Sequence, residues 1–180
     1  DLWAIAQAAA TFAVIALIVR GVRWRDLGWT PVARRWYWIA AGAILVYFLV
    51  WPILWSLVPA IELFDAPGEY EWPIVPGVRW FLLAFAVDSF VVPVTEETLF
   101  RGVLYGWLRQ HLNVPLSAVI SSAVFAASHG VNASLDIFLI GMLFALLYEG
   151  SKSLRVSAFA HGLNNGVLLL IDYLALAADA

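Results

Sequence analysis

The region that decides the fold runs from residue 78 to residue 108 and reads VRWFLLAFAVDSFVVPVTEETLFRGVLYGWL. It is long and apolar enough to cross a bilayer, yet Glu96, Glu97 and Arg101 lie inside it. A charged side chain at the centre of a bilayer costs about 2.5–3.5 kcal/mol on insertion scales. Three charges so close together indicate internal pairing or an interior cavity, and they predict a functional site inside a membrane protein.

The composition of the whole chain supports this class. Of its 180 residues, 63% are hydrophobic and 13% are charged, and the mean hydropathy is +0.87. A net charge of −3 argues against a nucleic-acid-binding surface, so no nucleic-acid partner is expected. The lack of cysteine excludes disulfides, thiol catalysis and thiolate metal sites. Because the chain starts at Asp1 rather than at a methionine, we expect an N-terminal portion to be missing.

Apolar spans can be distinguished by their length and by the polar segments between them. They cover residues 2–19, 36–58, 78–108, 116–128, 135–148 and 156–176. Pro52 predicts a kink in the second span, and Pro93 predicts an interruption of the third, with Thr95 as the N-cap of a helix that restarts there. The sequence therefore predicts an all-α polytopic membrane protein of about six transmembrane helices. We expect a single domain over residues 1–180, with the polar cluster in an internal cavity.

The basic residues predict the orientation of these spans. They crowd the first, third and fifth connections, at Arg20, Arg23, Arg25, Arg34, Arg35, Arg109, Lys152 and Arg155. The second connection, residues 59–77, is acidic instead. Alternating spans place the basic connections on one side of the lipid bilayer, which the positive-inside rule makes the cytoplasmic side. A bacterial inner membrane is the expected location.

The charged cluster divides into two parts when it is placed on a helix. Glu97 precedes Arg101 by four residues, which favours an ion pair on one helix face. Glu96 points about 100° away from Glu97 and stays available. This predicts a structural, supporting role for Glu97 and Arg101, and a role as general base for Glu96. From this motif alone, a buried ion pair without any chemistry is the alternative.

Two further groups lie on other spans. His129 follows Phe125 by four residues at the end of the fourth span, and His161 and Asn165 share one face of the sixth. A lone histidine in a membrane is more often an interhelical hydrogen-bonding group than a catalyst. Together with Glu96, however, these residues supply a base for water and donors for an oxyanion, as peptide hydrolysis requires. On straight spans the two histidines would lie at different depths, so tilt or a short span has to bring them together.

The ordered set Glu-Glu-x-x-x-Arg, Phe-x-x-x-His and His-x-x-x-Asn resembles the CAAX-protease and bacteriocin-processing (Abi) family of intramembrane endopeptidases, which includes type II CAAX prenyl endopeptidases. The resemblance implies a catalytic core over residues 78–176, preceded by two additional spans in residues 1–58. It implies that Glu96 and His129 activate water, and that His161 and Asn165 stabilise the oxyanion. The substrate it implies is a membrane-embedded or lipidated peptide or protein.

Alternatives remain open at this point. The same cluster would suit a non-catalytic membrane protein that binds a peptide or confers immunity, or a small transporter with a Glu/His proton relay. Glu96, His129 and His161 could also bind zinc and leave an open coordination position. We favour a site without a cofactor, because no two of these ligands are closely spaced on one helix and Asn165 suits an oxyanion better than zinc.

Overall fold

The computed structural model describes residues 20–57, 77–129 and 135–178. Its helices in these ranges are α1 (Arg35–Leu57), α2 (Val78–Leu108), α3 (Val114–Ala127), α4 (Leu135–Ser151) and α5 (Leu154–Ala178). α1, α2 and α5 are long and apolar enough to cross a membrane, and α3 is a shorter apolar helix. The predicted all-α fold is confirmed for this part of the chain.

The helix boundaries lie close to the predicted ones. α3 begins two residues earlier than expected because Asn113 caps it, with its side-chain oxygen accepting from the amide of Leu116 at 3.0 Å. Pro52 lies inside the continuous helix α1. The predicted first span, residues 2–19, lies outside the described residues. The count of six spans therefore stays a prediction.

α2 shows that the expected interruption at Pro93 is wrong. The helix continues from Val78 to Leu108 and contains π-helical segments at Val87–Val91 and Thr98–Tyr105. Proline lacks an amide hydrogen and crowds the carbonyl four residues before it, and the wider π-helical turn ahead of Pro93 accommodates both effects. Thr95 is not an N-cap, since its hydroxyl donates to the carbonyl of Val92 within the helix, at 2.8 Å.

The helices pack so that α5 contacts α1, α2 and α4, while α3 runs along α4. An apolar core between α1, α4 and α5 contains Ala40, Ile44, Ile140, Phe144, Leu147, Val156 and Ala160. On its other side, α1 exposes large apolar side chains, with Leu45 and Leu49 each 60% exposed. Such a face suits contact with lipid rather than with water.

The three basic connections meet at one end of the bundle, which we call the basic end. The hydroxyl of Thr30 donates to the carbonyl of Lys152 at 2.9 Å, joining the first connection to the fifth. Glu149 pairs with Lys152 at 2.5 Å and with Arg109 at 3.5 Å, joining the fifth connection to the third. The alternation of spans predicted this common end. That the basic end faces the cytoplasm stays a prediction.

Candidate active site

A fully buried ion pair forms the base of the site. Arg101 Nη1 donates to Glu97 Oε1 at 2.8 Å, and neither side chain has any exposed surface. Their spacing on the helix, with the acid four residues before the base, predicted this contact. Arg101 Nη2 donates to the carbonyl of Gly141 on α4 at 2.8 Å. The pair therefore fixes α2 against α4 as well as neutralising its own charges.

Aromatic rings and a glycine complete the surroundings of the guanidinium. Arg101 Cζ lies 4.6 Å from the ring centroid of Phe125 and 5.4 Å from that of Phe144. A Cβ atom on Gly141 would come within 3.3 Å of Arg101 Nη2 and 3.0 Å of the Phe125 ring. Sequence reasoning missed Gly141 and Phe144, since neither carries a reactive group. A glycine in an apolar helix gives no sign in the sequence that its carbonyl accepts a hydrogen bond from an arginine.

His161 on α5 reaches the same carboxylate. Its Nδ1 lies 3.1 Å from Glu97 Oε1, and its Nε2 lies 3.8 Å from Glu96 Oε2. Because Glu97 is an acceptor paired with Arg101, the hydrogen of this bond belongs to Nδ1 of His161. Nε2 then carries a hydrogen only when His161 is protonated on both nitrogens. The ring of Phe144 stacks on that of His161, with centroids 4.7 Å apart.

Glu96 differs from its neighbour Glu97. Its side chain keeps 17% of its surface exposed, whereas that of Glu97 is fully buried. Glu96 makes no hydrogen bond to any residue that the structure describes, and its one ion-pair contact there is with His161 Nε2, at 3.8 Å. Of the two adjacent carboxylates, Glu96 is therefore the one that can meet water or substrate.

One ring nitrogen of His129 has a hydrogen-bond partner among the described residues, and the other has none there. Its Nδ1 lies 2.9 Å from the carbonyl of Phe125, one turn earlier on α3. A carbonyl only accepts, so Nδ1 carries the hydrogen and Nε2 presents a lone pair. Within the described ranges no hydrogen bond joins His129 to Glu96 or His161.

Phe125 lies at the centre of the arrangement. Its ring centroid is 4.9 Å from that of His129 and 5.8 Å from that of His161. His129, just after α3, and His161 in α5 therefore contact the same buried ring. The packing of the helices brings the two histidines together, although straight spans would place them at different depths. The phenylalanine of the Phe-x-x-x-His motif supports Arg101 and both histidines together.

Asn165 is oriented by its neighbours. Its Nδ2 donates to the backbone carbonyl of Asp88 at 3.0 Å, and its Oδ1 accepts from Asn164 Nδ2 at 3.3 Å. Both contacts require the same orientation of the amide group. Among the described residues Asn165 uses one N–H, and its second N–H has no partner there and can serve a ligand. Asp88 and Asn164 were not recognised from the sequence.

The three residues considered as zinc ligands are not grouped as metal ligands in the described part of the chain, and the preference for a site without a cofactor stays a prediction. Across residues 20–57, 77–129 and 135–178, no three His, Asp or Glu side chains come together as metal ligands. Glu96 and His161 are neighbours, whereas no hydrogen bond or ion pair within the described residues joins His129 to either of them. We derive no step that requires a metal.

Comparison with known proteins assigns the family. The sequence model of the Rce1-like family, described as type II CAAX prenyl endopeptidase Rce1-like, matches residues 78–167, half of the chain. The chain belongs to this family. Its members are membrane proteases, and the matched region contains every candidate site residue. The resemblance seen in the sequence motifs is confirmed, whereas the roles of individual residues stay predictions.

Two bacterial relatives agree with this assignment. The chain is 26% identical over 179 residues to the Bacillus subtilis (strain 168) protein named "Putative membrane peptidase YdiL", covering 95% of this chain and 71% of that one. It is 28% identical over 93 residues to "Membrane-embedded CAAX protease MroQ" of Staphylococcus aureus (strain USA300), covering 48% of this chain and 38% of that one. No solved structure matches the chain significantly.

A cavity of about 460 Å³ opens at the basic end, away from these residues. Its lining includes Tyr105, Arg109, Tyr148, Glu149 and Lys152, and none of the candidate site residues. It is therefore separate from the candidate active site. That the polar cluster lies in an internal cavity of its own stays a prediction.

Proposed function

We propose that the protein is an intramembrane endopeptidase that hydrolyses a peptide bond in a membrane-embedded or lipidated peptide or protein. The observation that carries this proposal is the difference between two adjacent carboxylates. Glu97 is buried and engaged by Arg101 and His161, whereas Glu96 keeps exposed surface and makes no hydrogen bond within the described residues. A general base needs such an unengaged carboxylate within reach of water.

Water activation falls to Glu96 and His129. Glu96 removes a proton from the attacking water, and the water oxygen adds to the carbonyl carbon of the scissile peptide bond. His129 orients that water through Nε2, the nitrogen left as an acceptor by the bond between Nδ1 and the carbonyl of Phe125. When the tetrahedral intermediate collapses, the proton held by Glu96 passes to the leaving amine.

The oxyanion is stabilised from α5. Asn165 contributes its second N–H, and the first stays with the carbonyl of Asp88. His161 contributes from Nε2 in its doubly protonated form, with its Nδ1 anchored on Glu97. Both donors are held by the protein before the reaction, so little reorganisation is needed when charge develops.

The substrate class follows from the family and the surroundings of the site. The family is named after prenyl endopeptidases, and the site lies among helices apolar enough to cross a membrane. Both features favour a substrate that carries a lipid or an apolar segment and partitions into the bilayer. We place the protein in a bacterial inner membrane, with the basic end on the cytoplasmic side.

Cleavage by the purified protein in nanodiscs tests this proposal. The probes are quenched fluorescent peptides that carry either a farnesylated C-terminal cysteine or a transmembrane segment. Glu96→Gln preserves the shape of the side chain but removes the base, so we expect kcat to fall by about 10²–10⁴-fold. The melting temperature should not change, because Glu96 makes no hydrogen bond within the described residues.

Asp26→Asn is the matched control, since it makes the same acid-to-amide change at an exposed position. The hydrogen bond from Arg23 holds the pKa of Asp26 below its usual value, so this residue is a carboxylate at neutral pH. We expect wild-type cleavage from this variant. Wild-type cleavage by Glu96→Gln would refute the mechanism. Peptide binding without cleavage, unchanged by Glu96→Gln, would instead support a non-catalytic binding or immunity protein.

A further inference from the structure

The π-helical segment of α2 changes the hydrogen bonding of the backbone beside the site. At its end, the amide of Val92 donates to the carbonyl of Val87, five residues earlier. In an α-helix the same amide would donate to the carbonyl of Asp88, four residues earlier. The π-helical bond therefore takes away the α-helical partner of the Asp88 carbonyl.

Pro93 removes a further possible donor to these carbonyls. A residue at this position would donate to Ser89 in an α-helix, or to Asp88 in a continued π-helix, but proline has no amide hydrogen. The carbonyls of Asp88 and Ser89 are both left without a donor from position 93. A buried carbonyl without a partner is costly, so each must be satisfied or accommodated outside the helix.

Both freed carbonyls face α5, close to the proposed oxyanion donors. The carbonyl of Asp88 accepts from Asn165 Nδ2 at 3.0 Å. The carbonyl of Ser89 lies so close to Gly162 that a Cβ atom there would be 2.1 Å from it. Only glycine allows this approach, and Gly162 directly follows His161 in the chain.

We propose that Pro93 is a positioning residue for Asn165. By lacking an amide hydrogen, it keeps the Asp88 carbonyl free to hold one N–H of Asn165, which aims the other N–H at the substrate. The catalytic value of this arrangement rests on the proposed function, because it assumes that Asn165 stabilises the oxyanion. Pro93 thereby connects α2, which carries the base, to the donor on α5.

Pro93→Ala tests this positioning role. Alanine supplies the missing amide hydrogen, so the turn can rewind as an α-helix in which Val92 donates to Asp88 and residue 93 donates to Ser89. Asn165 then loses its acceptor. We expect kcat to fall at least tenfold. The loss of a whole oxyanion donor, which lowers kcat by about 10²–10³-fold, sets the upper limit. KM should stay within about twofold of the wild-type value. The melting temperature should not fall, since proline is unfavourable inside a helix.

Pro52→Ala is the matched control, because Pro52 also lies inside a membrane-spanning helix, α1. It should keep the wild-type kcat. A second readout does not depend on cleavage: in protein labelled with ¹⁵N-asparagine, the side-chain amide signal of Asn165, assigned by its loss in Asn165→Ala, should shift in Pro93→Ala and not in Pro52→Ala. A wild-type kcat together with an unshifted amide signal in Pro93→Ala would overturn the proposal.

A second variant perturbs the same turn and tests the proposal if Pro93→Ala does not fold. A Cβ atom on Gly166 would lie 2.9 Å from Ser89 Oγ and 3.1 Å from the ring of Phe85, so Gly166→Ala should displace this part of α2 and lower kcat. Ser89 Oγ is buried and has no hydrogen-bond partner in the described part of the chain. Ser89→Ala should therefore be neutral alone and, because it removes the shorter of the two contacts, should recover part of kcat in the double variant. Unchanged kcat and amide signal in Gly166→Ala would count against the proposal.

The two proposals can fail separately. Asn165→Ala with wild-type kcat would refute the oxyanion role of Asn165, and an amide shift in Pro93→Ala would still show that Pro93 orients this side chain. Conversely, a large loss in Asn165→Ala, with a wild-type kcat and an unshifted amide signal in Pro93→Ala, would keep the proposed function and refute the positioning role.

Discussion

Arg101 in α2 and Arg109 directly after α2 each belong to an ion-pair cluster, and the two clusters differ in burial. Arg101 and its partner Glu97 are 0% exposed and 2.8 Å apart. Eight residues later, Arg109 is 30% exposed and lies 3.5 Å from Glu149, which is 19% exposed. The first pair lies in the candidate active site and the second at the basic end. The chemistry of the paired groups is the same, but their access to water is not.

This difference decides what each cluster needs from the rest of the protein. Water can solvate the charges at the basic end, so their geometry is not critical. The charges of Glu97 and Arg101 are fully buried, so their partners must come from the protein. These include the Gly141 carbonyl, His161 and the ring of Phe125, whereas Glu97 Oε2 and Arg101 Nε have no hydrogen-bond partner in the described part of the chain. Burial therefore forces the groups of the site into one arrangement, which a catalytic site requires.

The largest effect is expected from Glu97→Gln. The change leaves the Arg101 charge buried without a carboxylate, which costs about 3–5 kcal/mol when one partner of a buried pair is removed. The Nδ1 of His161 keeps at most a neutral amide oxygen in place of the carboxylate as its acceptor, so activity should fall with stability. The free energy of unfolding, measured by SDS titration in mixed micelles, checks the first effect.

Glu96→Gln in the same titration is the matched comparison, because it makes the same change one residue earlier. We expect its free energy of unfolding to stay near the wild-type value. A Glu97→Gln protein that is fully stable yet inactive would show that the roles of the two glutamates are the reverse of those proposed.

A smaller effect is expected from Gly141→Ala. The added methyl group would meet the Phe125 ring at 3.0 Å and Arg101 Nη2 at 3.3 Å, in surroundings with little freedom to move. Overpacking of this kind costs about 1–3 kcal/mol. Gly42→Ala in α1 is the control, since a Cβ atom there meets nothing within 4 Å and should not destabilise the protein. Equal unfolding free energies for the two variants would show that the arginine site is not closely packed.

Local spacing made part of this structure predictable. The ion pair of Glu97 with Arg101, and the shared helix of His161 and Asn165, follow from four-residue spacings on helices. The described helices follow from the lengths of apolar segments, which depend on the thickness of a bilayer. Each of these features lies within a single helix, so it can be predicted from the residues of that helix alone.

Contacts between elements were not predictable. The carbonyl of Gly141 and that of Asp88 hold the site together, but backbone groups look the same at every position of a sequence. Pro93 was misread because proline ends most helices, whereas here a π-helical turn accommodates it and the helix continues. Phe125 was recognised only as part of a spacing, and its contact with both histidines depends on how α3 and α5 pack.

The smallest effect is expected from Glu149→Gln at the basic end. The change removes the ion pairs with Lys152, which is 67% exposed, and with Arg109. The amide oxygen can still accept from the hydroxyl of Tyr105, which lies 2.9 Å from the carboxylate. Partly exposed pairs of this kind contribute about 0–1 kcal/mol, so the free energy of unfolding should hardly change.

The response to salt should also distinguish the two ion-pair clusters. Raising the ionic strength from about 0.1 M to 1 M shortens the screening length from about 10 Å to 3 Å, so the small effect of Glu149→Gln should disappear. The effect of Glu97→Gln should persist, because salt does not reach a pair without exposed surface. If Glu149→Gln instead destabilised the protein as much as Glu97→Gln does, and did so at both salt concentrations, the basic end would be as important for the fold as the buried pair. Burial would then not be what distinguishes the candidate active site.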